Sequence, residues 1–361
     1  MTSPPRAVKQ ARFQLPVGDA WALFARARSV RFAGVTDEGT PVLRTFNAVV
    51  VDERLCFHGA DDGEKLGLLG RPVVASCEEI VAQVASYWMH PENACPASTY
   101  YVSAFAEGRI VRIDDPARKA LVLTRLMERF QPEGGYVPIT HDDTRYRKMV
   151  EQLLVVELVP TRVYAKQKLG QHHGASRIER VLDGLWTRGE PGDVAAIRTI
   201  RDAHPARPTP AFLRGPEGTE LCVAPDARDA EAVARLLAGQ YWTEGFTQAR
   251  MAQAQRGSTA WVVARDLERG EVVASARAVS DHARFGYVLD VIVDPAWRGR
   301  GLGVAVTRTL LAHPAVRSLL SIGLRTRDAH GLYERFGFRS SESDPRAMTL
   351  TRTEDARGSP L

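Results

Sequence analysis

The run Val288-Leu289-Asp290-Val291-Ile292-Val293-Asp294-Pro295-Ala296-Trp297-Arg298-Gly299-Arg300-Gly301-Leu302-Gly303 constrains this chain more than any other stretch. An apolar segment of strand character meets Asp-Pro, which stops it, and a glycine-rich turn then opens a helix over residues 301–312. Such a turn presents successive backbone N–H groups, and the helix N-terminus adds about half a positive charge. Glycines let the backbone approach a diphosphate closely. Arg298 and Arg300 add charge-assisted donors for phosphate oxygens. Neither the dinucleotide fingerprint nor the P-loop pattern is matched. The competing reading is a solvent-facing turn that binds nothing.

The elements around this turn alternate. Strands are expected at 221–224, 260–265, 271–279, 287–293 and 318–325, and helices at 226–238, 246–255, 301–312 and 329–335. This is a mixed α/β domain. Upstream the pattern changes. Strand-like runs cover 30–36, 41–52, 54–59, 72–77, 81–88, 100–113 and 153–165, with helices at 19–27, 62–69, 115–129 and 144–152. That half reads as a β-rich barrel with a few helices. Residues 170–204 carry two helical patches. Residues 203–218 hold Pro205, Pro208, Pro210 and Pro216 and form the linker candidate. The expected organisation is a disordered tail at 1–14, a first domain at 15–205, a linker at 206–218 and a second domain at 219–361.

The charge balance excludes several partners. Lys and Arg total 48 against 43 Asp and Glu, a net charge of +5, and no stretch is a basic block, so nucleic acid is not an expected partner. No apolar run approaches the roughly 18–20 residues that span a bilayer, and residues 1–12 lack the apolar core of a secretory signal. Cys56, Cys77, Cys95 and Cys222 include no C-x-x-C pair. The expectation is a cytoplasmic protein with free thiols, no metal site and no membrane association.

The segment 288–303 closely resembles motif A of the Gcn5-related N-acetyltransferases (GNAT). Leu324-Arg325-Thr326-Arg327-Asp328-Ala329-His330-Gly331-Leu332-Tyr333-Glu334-Arg335-Phe336-Gly337-Phe338 resembles motif B. Gly239-Gln240-Tyr241-Trp242 and Ala276-Arg277-Ala278-Val279-Ser280-Asp281 resemble a subgroup of small members. The resemblance implies acetyl-CoA as substrate. The strand at Val291, Ile292 and Val293 would splay from residues 322–324 and offer main-chain groups to the pantetheine arm. Arg298, Gly299, Arg300, Gly301, Leu302 and Gly303 would hold the pyrophosphate. Tyr333 matches the family tyrosine that protonates the leaving thiolate, against its alternative as a core residue packing on Phe336 and Phe338. The amine would attack the thioester carbonyl directly, without an acyl-enzyme. Asp290, Asp281, His282 and Glu244 are the candidate bases, none marked by spacing.

In the first half, Arg44-Thr45-Phe46 and Phe57-His58-Gly59 lie on two paired strands, followed by Glu64-Lys65 at a helix start. Arg44 and Lys65 would converge on one phosphate, or form a solvated surface hairpin. The order resembles the flavin-binding split barrels of the pyridoxamine 5′-phosphate oxidase class, especially the nitroimidazole-resistance branch. By that resemblance Arg44 and Lys65 bind the FMN phosphate, Thr45 and His58 the ribityl chain or ring edge beside Phe57, with Lys166 and Lys168 as further candidates. Some relatives of this barrel hold heme, for which His58, His90, His172 and His173 are candidates. These barrels commonly form homodimers around the cofactor. The C-terminal substrate motif of the true oxidases is absent.

The expected fold is therefore two domains: an N-terminal β-rich split barrel of the FMN-binding type and a C-terminal α/β GNAT fold with a mixed sheet. The expected function is bifunctional, a flavin-dependent oxidoreductase joined to an N-acetyltransferase acting on a small-molecule amine. The alternative is a transferase whose barrel only binds a cofactor, dimerises or senses redox state.

Overall fold

A computed structural model describes residues 11–352. They form two compact units, one of residues up to 80 together with 99–172, the other of 81–98 together with residues from 173 onward. Each is described by itself.

The first unit contains β1 (Gln14–Leu15), α1 (Val17–Arg26), β2 (Val30–Val35), β3 (Pro41–Phe46), β4 (Val49–Val51), β5 (Arg54–Gly59), β6 (Pro72–Val84), β7 (Ser98–Arg112), α2 (Pro116–Phe130), α3 (Arg147–Gln152) and β8 (Leu154–Lys168). The strands follow the order β3-β2-β6-β7-β8-β5-β4, with β1 on β8. All the registered pairs are antiparallel, and the sheet curls until Phe46 of β3 stacks on Phe57 of β5 at 4.0 Å. Alternation sends Phe32, Leu55, Phe57, Ala104 and Ala106 into one core. Cys56, Val49 and Val155 enter a second core, under α2 and α3. Asp115 caps α2 by accepting the N–H groups of Ala117 and Arg118, and Pro116 occupies the first turn.

Three expectations change here. The strand expected at 41–52 divides into β3, which pairs with β2, and β4, which pairs with β5. The strands expected at 72–77 and 81–88 are one strand, β6, which ends at Val84, and Ser86–Trp88 is a 3-10 turn. The acidic pair Glu78 and Glu79 resembles a break, but their carboxylates pair with Arg31 and Arg26, so the ladder continues through them. Of the tail expected at 1–14, residues 1–10 lie outside the described residues. Residues 11–14 are ordered, a 3-10 turn at Ala11–Phe13 leading into β1, where Gln14 pairs with Lys166.

The second unit contains α4 (Ala175–Arg188), α5 (Asp193–Asp202), β9 (Thr219–Cys222), α6 (Ala227–Leu237), α7 (Gln248–Arg256), β10 (Ala260–Asp266), β11 (Val272–Ser280), β12 (Phe285–Val293), α8 (Leu302–Ala312), β13 (Ser321–Arg325), α9 (His330–Glu334), β14 (Arg339–Ser340) and β15 (Ala347–Thr351). The sheet order is β14-β15-β13-β12-β11-β10-β9, and β12 with β13 is its parallel pair. Trp261 and Val263 of β10 pack with α6 and α7. The alternate residues Val262 and Ala264 are also fully buried, on the face where α8 packs. A capping box of Asp226 and Asp229 starts α6.

Residues 173–205, expected with the barrel, belong to this unit. Trp186 of α4 stacks on Phe212 at 5.0 Å, and Arg317 donates to the carbonyls of Trp186 and Thr187. The proline-rich stretch is packed as well. Arg201 holds the carbonyls of Arg207 and Pro208, and Leu213 is buried. Proline content suggested a tether because it removes donors, but arginines supply the missing hydrogen bonds from the side.

No helix among the described residues is long and apolar enough to cross a membrane. All four cysteines are unpaired thiols. No group of three or more His, Cys, Asp or Glu among the described residues is placed to hold a metal.

Candidate functional site

In the second unit the site begins where two strands separate. β12 pairs with β13 only at Phe285↔Ser321, Gly286↔Ile322 and Tyr287↔Gly323, so from Val288 onward one edge of β12 faces no strand. The other edge stays on β11, with Ile292 opposite Ser275 and Val293 opposite Ala274. Ile292 is 4% exposed and packs with α6 and α7, so its side chain is structural and only its main chain is available. Val291 and Val293 are half-buried beside it.

Immediately beyond, Asp294 caps a 3-10 turn at Pro295–Trp297, and the chain enters α8 through Gly299 (φ 77°) and Gly301 (φ 84°). Both are left-handed, a conformation costing an L-residue about 1–2 kcal/mol. Gly301 is the N-cap of α8 and offers no side chain, so nothing of its own covers the first amides. The helical ladder starts only at Ala305, which donates to the Gly301 carbonyl at 3.0 Å. Arg298, Gly299, Arg300 and Gly301 are exposed, Gly303 is half-buried, and Leu302 is 1% exposed, anchoring the helix in the core. Arg298 Nε reaches the Val293 carbonyl at 3.4 Å, and the Arg300 guanidinium lies over the Trp297 ring at 4.7 Å. The result is a ring of backbone donors with two arginines at its rim, the arrangement that holds a diphosphate.

Tyr333 of α9 is 7% exposed and meets Phe338 edge-on at 5.9 Å. Burial pushes its phenol up to about 12, with Tyr241 and Asp328 adding to the shift. The hydroxyl is therefore protonated at neutral pH, as a proton donor must be. The packing contact leaves the hydroxyl available, since the ring meets Phe338 and the hydroxyl donates to no neighbour among the described residues.

The candidate bases are held elsewhere. Asp290 adopts φ 50° at a β-bulge in the β11–β12 ladder, and its Oδ2 accepts from Arg277 Nε at 2.6 Å and Gln255 Nε2 at 3.3 Å. It pins the bulge. Asp281 accepts the N–H groups of Ala283, Arg284 and Phe285, which hold its carboxyl below the usual range. That turn, with His282 in it, lies at the Phe285 end of β12, the length of a nine-residue strand from Val293. Glu244 is exposed in the α6–α7 loop. Sequence reasoning missed the Arg277–Asp290 pair, because a partner 13 residues away on a neighbouring strand leaves no local signal.

In the first unit, Arg44 pairs with Glu64, and Lys65 Nζ contacts the carboxylate and carbonyl of Asp62. The two cations thus gather at the turn after β5, where the Lys65 stem lies over Gly59, and a Cβ there would sit 3.1 Å from Lys65 Cε. The other candidates separate. Phe57 is 2% exposed in the core, stacked on Phe46, and cannot line an open cofactor site. Thr45 points to the face opposite Arg44, into a cleft of about 420 Å³ shared with Arg26, Arg31 and Cys77. His58 is exposed on the Cys56 face of β5, opposite Gly59 and Lys65, and partial burial holds its imidazole below the ordinary value. Lys166 lies over the Tyr101 ring at 5.4 Å, and both it and Lys168 sit at the end of β8 remote from Leu154, the partner of Gly59. For heme, His90 Nδ1 already accepts from the Glu92 and Asn93 N–H groups, and His172 meets Phe13 edge-on; His90 and His173 belong to the second unit. The donor set at Arg44 and Lys65 fits a phosphate, which would replace the carboxylates of Glu64 and Asp62.

Comparison with known proteins matches these two regions separately. Residues 16–167 match the family model described as pyridoxamine 5′-phosphate oxidase, and residues 256–340 the model described as acetyltransferase (GNAT) domain. Among curated proteins, glucosamine 6-phosphate N-acetyltransferase 1 of Oryza sativa subsp. japonica is 34% identical over 84 residues, 21% of this chain and 51% of that protein. The chain therefore spans about half the length of that relative. Among solved structures, an FAD and heme binding protein from Mycobacterium smegmatis is 22% identical, covering 42% of this chain and 70% of that one, with a TM-score of 0.35. A putative acetyltransferase of the GNAT family from Xanthomonas campestris pv. campestris is 32% identical, covering 36% and 89%, with a TM-score of 0.32. With the curled antiparallel sheet in one unit and the parted parallel pair in the other, the chain joins a domain of the pyridoxamine 5′-phosphate oxidase family to an acetyltransferase domain of the GNAT family.

Proposed function

We propose that the second domain transfers the acetyl group of acetyl-CoA to the amine of a small molecule, and that the first is a flavin-dependent redox domain. The observation that carries the transferase reading is the parting of β12 from β13 after Tyr287↔Gly323, beside a turn whose two left-handed glycines lead into α8. The pyrophosphate takes the amides at the start of α8, and Arg298 and Arg300 pair with its oxygens. The free edge of β12 hydrogen-bonds the pantetheine amides and aligns the thioester. The neutral amine nitrogen attacks the carbonyl carbon, the C–S bond breaks, and the thiolate takes the proton of the Tyr333 hydroxyl. The proton lost by nitrogen leaves through water and restores the phenol, since Asp290 is engaged by Arg277 and Asp281 by its own turn.

In the first domain, Arg44 and Lys65 hold the FMN phosphate. The flavin supplies two-electron transfer there, and the barrel pairs with a second copy. A second reading has its own observation: both cations already have carboxylate partners within the chain. On that reading the barrel is a non-catalytic module, and only the second domain turns over.

One preparation tests both. Purified protein should show a flavin band near ~450 nm and a dimer mass by light scattering, and should release CoA thiol when given acetyl-CoA and an amine. A Soret band would replace FMN with heme. A bare protein spectrum favours the non-catalytic barrel. Failure to bind acetyl-CoA would remove the transferase reading.

A further inference from the structure

Beside the parted strands, Arg327 has donors that make no hydrogen bond among the described residues. Arg327 lies in the loop between β13 and α9, at the end of β13 where β12 has already diverged. Its guanidinium carbon sits 3.9 Å from the centroid of the Tyr241 ring, which comes from the loop between α6 and α7. That stacking holds the planar fork against an aromatic face and leaves its N–H edges free. Two other arginines of these strands are spent on partners: Arg325 on Asp344 at 2.8 Å and Arg277 on Asp290 at 2.6 Å. The nearest carboxylate to Arg327 is its sequence neighbour Asp328, at 3.6 Å, too far for a hydrogen bond. Arg327 donates no hydrogen bond among the described residues, and it is 56% exposed at the side chain.

The surroundings connect this arginine to the chemistry. Arg327 and Asp328 lead directly into α9, which carries Tyr333, and Tyr241 lies under Arg327, so ring, arginine loop and phenol adjoin along the chain and through that stack. Tyr241 is 44% exposed and meets Trp242 edge-on at 4.9 Å, which adds an aromatic wall. Asp328 and Glu244 are the acids on the two contributing loops, and neither neutralises Arg327 through a hydrogen bond.

We infer that Arg327, held on Tyr241, binds an anionic group of the acceptor, so that the preferred substrates are amines also carrying a carboxylate or a phosphate. The inference rests on the transferase reading. A planar fork with unsatisfied donors takes either oxyanion bidentately, and that shared chemistry defines the class. Tyr241 is a positioning residue, which keeps the guanidinium oriented.

The test uses the full chain, acetyl-CoA and matched amine pairs differing only in the anionic group: phenylalanine against 2-phenylethylamine, and phosphoethanolamine against ethanolamine. Thiol release gives kcat/KM for each. In the wild type the better anionic member should exceed its neutral partner by about 100-fold, and the pair showing this separates carboxylate from phosphate. Arg327→Gln should erase most of that ratio through KM of the anionic member. The neutral member's kcat/KM, the acetyl-CoA KM and the melting temperature should stay unchanged. Arg327→Lys should restore part of the ratio. Neutral amines used as well as their anionic partners would overturn the inference, as would an Arg327→Gln loss shared equally by both. No thiol release from any of the four amines while calorimetry shows acetyl-CoA bound would overturn it too. If acetyl-CoA does not bind at all, the transferase reading falls and this inference falls with it.

Discussion

The turn at residues 298–303 and the cluster at Arg44, Glu64 and Lys65 are both candidate phosphate sites, and they are built from opposite materials. The first is backbone. Two left-handed glycines lead into α8, and no side chain of the turn caps its first amides. The second is side chain. Its cations sit on a strand and a 3-10 turn, and each has a carboxylate partner from its own neighbourhood. Backbone donors at a helix start are fixed by the fold and cannot turn away. A guanidinium or ammonium on a flexible stem pairs with whatever acid is near. A site of the first kind is pre-formed, and one of the second kind forms only when its ligand outcompetes the chain's own carboxylates.

The sharpest way to break this comparison is Gly301→Glu. It places a β-carbon at φ 84° and a negative charge at the start of α8. Acetyl-CoA binding should weaken by about 1,000-fold or more in calorimetry, while any flavin band of the first domain persists. Loss of both together would mean that the two sites do not belong to separate domains.

Next in size is Tyr333→Phe, expected to lower kcat by about 100-fold with the acetyl-CoA KM unchanged. The sign of the pH dependence follows from the raised phenol. Burial keeps the acid form present up to about 12, so the wild-type rate should not fall as pH rises past about 10, the ordinary tyrosine value. A decline there would reassign the donor.

The side-chain cluster should respond in two directions. Lys65→Gln should weaken FMN retention by about tenfold in a flavin-release titration, whereas Glu64→Gln should strengthen it by releasing Arg44. A Glu64→Gln protein that holds no more flavin than the wild type would reduce the cluster to a self-paired surface.

A separate effect concerns stability, and it contrasts a buried histidine of the second domain with a more exposed one of the first. His313 is 5% exposed, and burial with Arg317 nearby lowers its imidazole from 6.5 to about 4. Between those values the unfolded chain binds a proton that the folded chain refuses. Stability is therefore complete above about 6.5 and falls by up to about 3 kcal/mol as pH drops toward 4. Urea titrations at neutral and acidic pH should show this loss in the wild type and a smaller one in His313→Asn. His58→Asn should change the profile in the same direction but less, because that imidazole is only partly buried.

Much of this molecule was legible in its residues, and the legible part has a common physical origin. Apolar periodicity, the Asp115 cap and the glycine pair at 299 and 301 are local, so they announce β12, α2 and the start of α8 without knowledge of anything distant. The same locality explains why the glycine turn before α8 was readable at residue level. What no local pattern contained was pairing across the sheet and between loops. Glu78 and Glu79 continue β6 because Arg31 and Arg26 lie opposite. Asp290 is a bulge anchor and not a free base because Arg277 sits on the adjacent strand. Thr45 parts from Arg44, and His58 from Lys65, because a strand sends neighbours to opposite faces. Residues 173–218 pack in the second unit because Trp186 finds Phe212 and Arg201 finds two carbonyls. Arg327 becomes an acceptor-side donor only because another loop brings Tyr241 beneath it. Sequence alone determined which segments fold and where a backbone cradle stands, since those follow from short-range sterics. Tertiary structure decided which charges are spent and which remain available, since that depends on partners the chain brings together from afar.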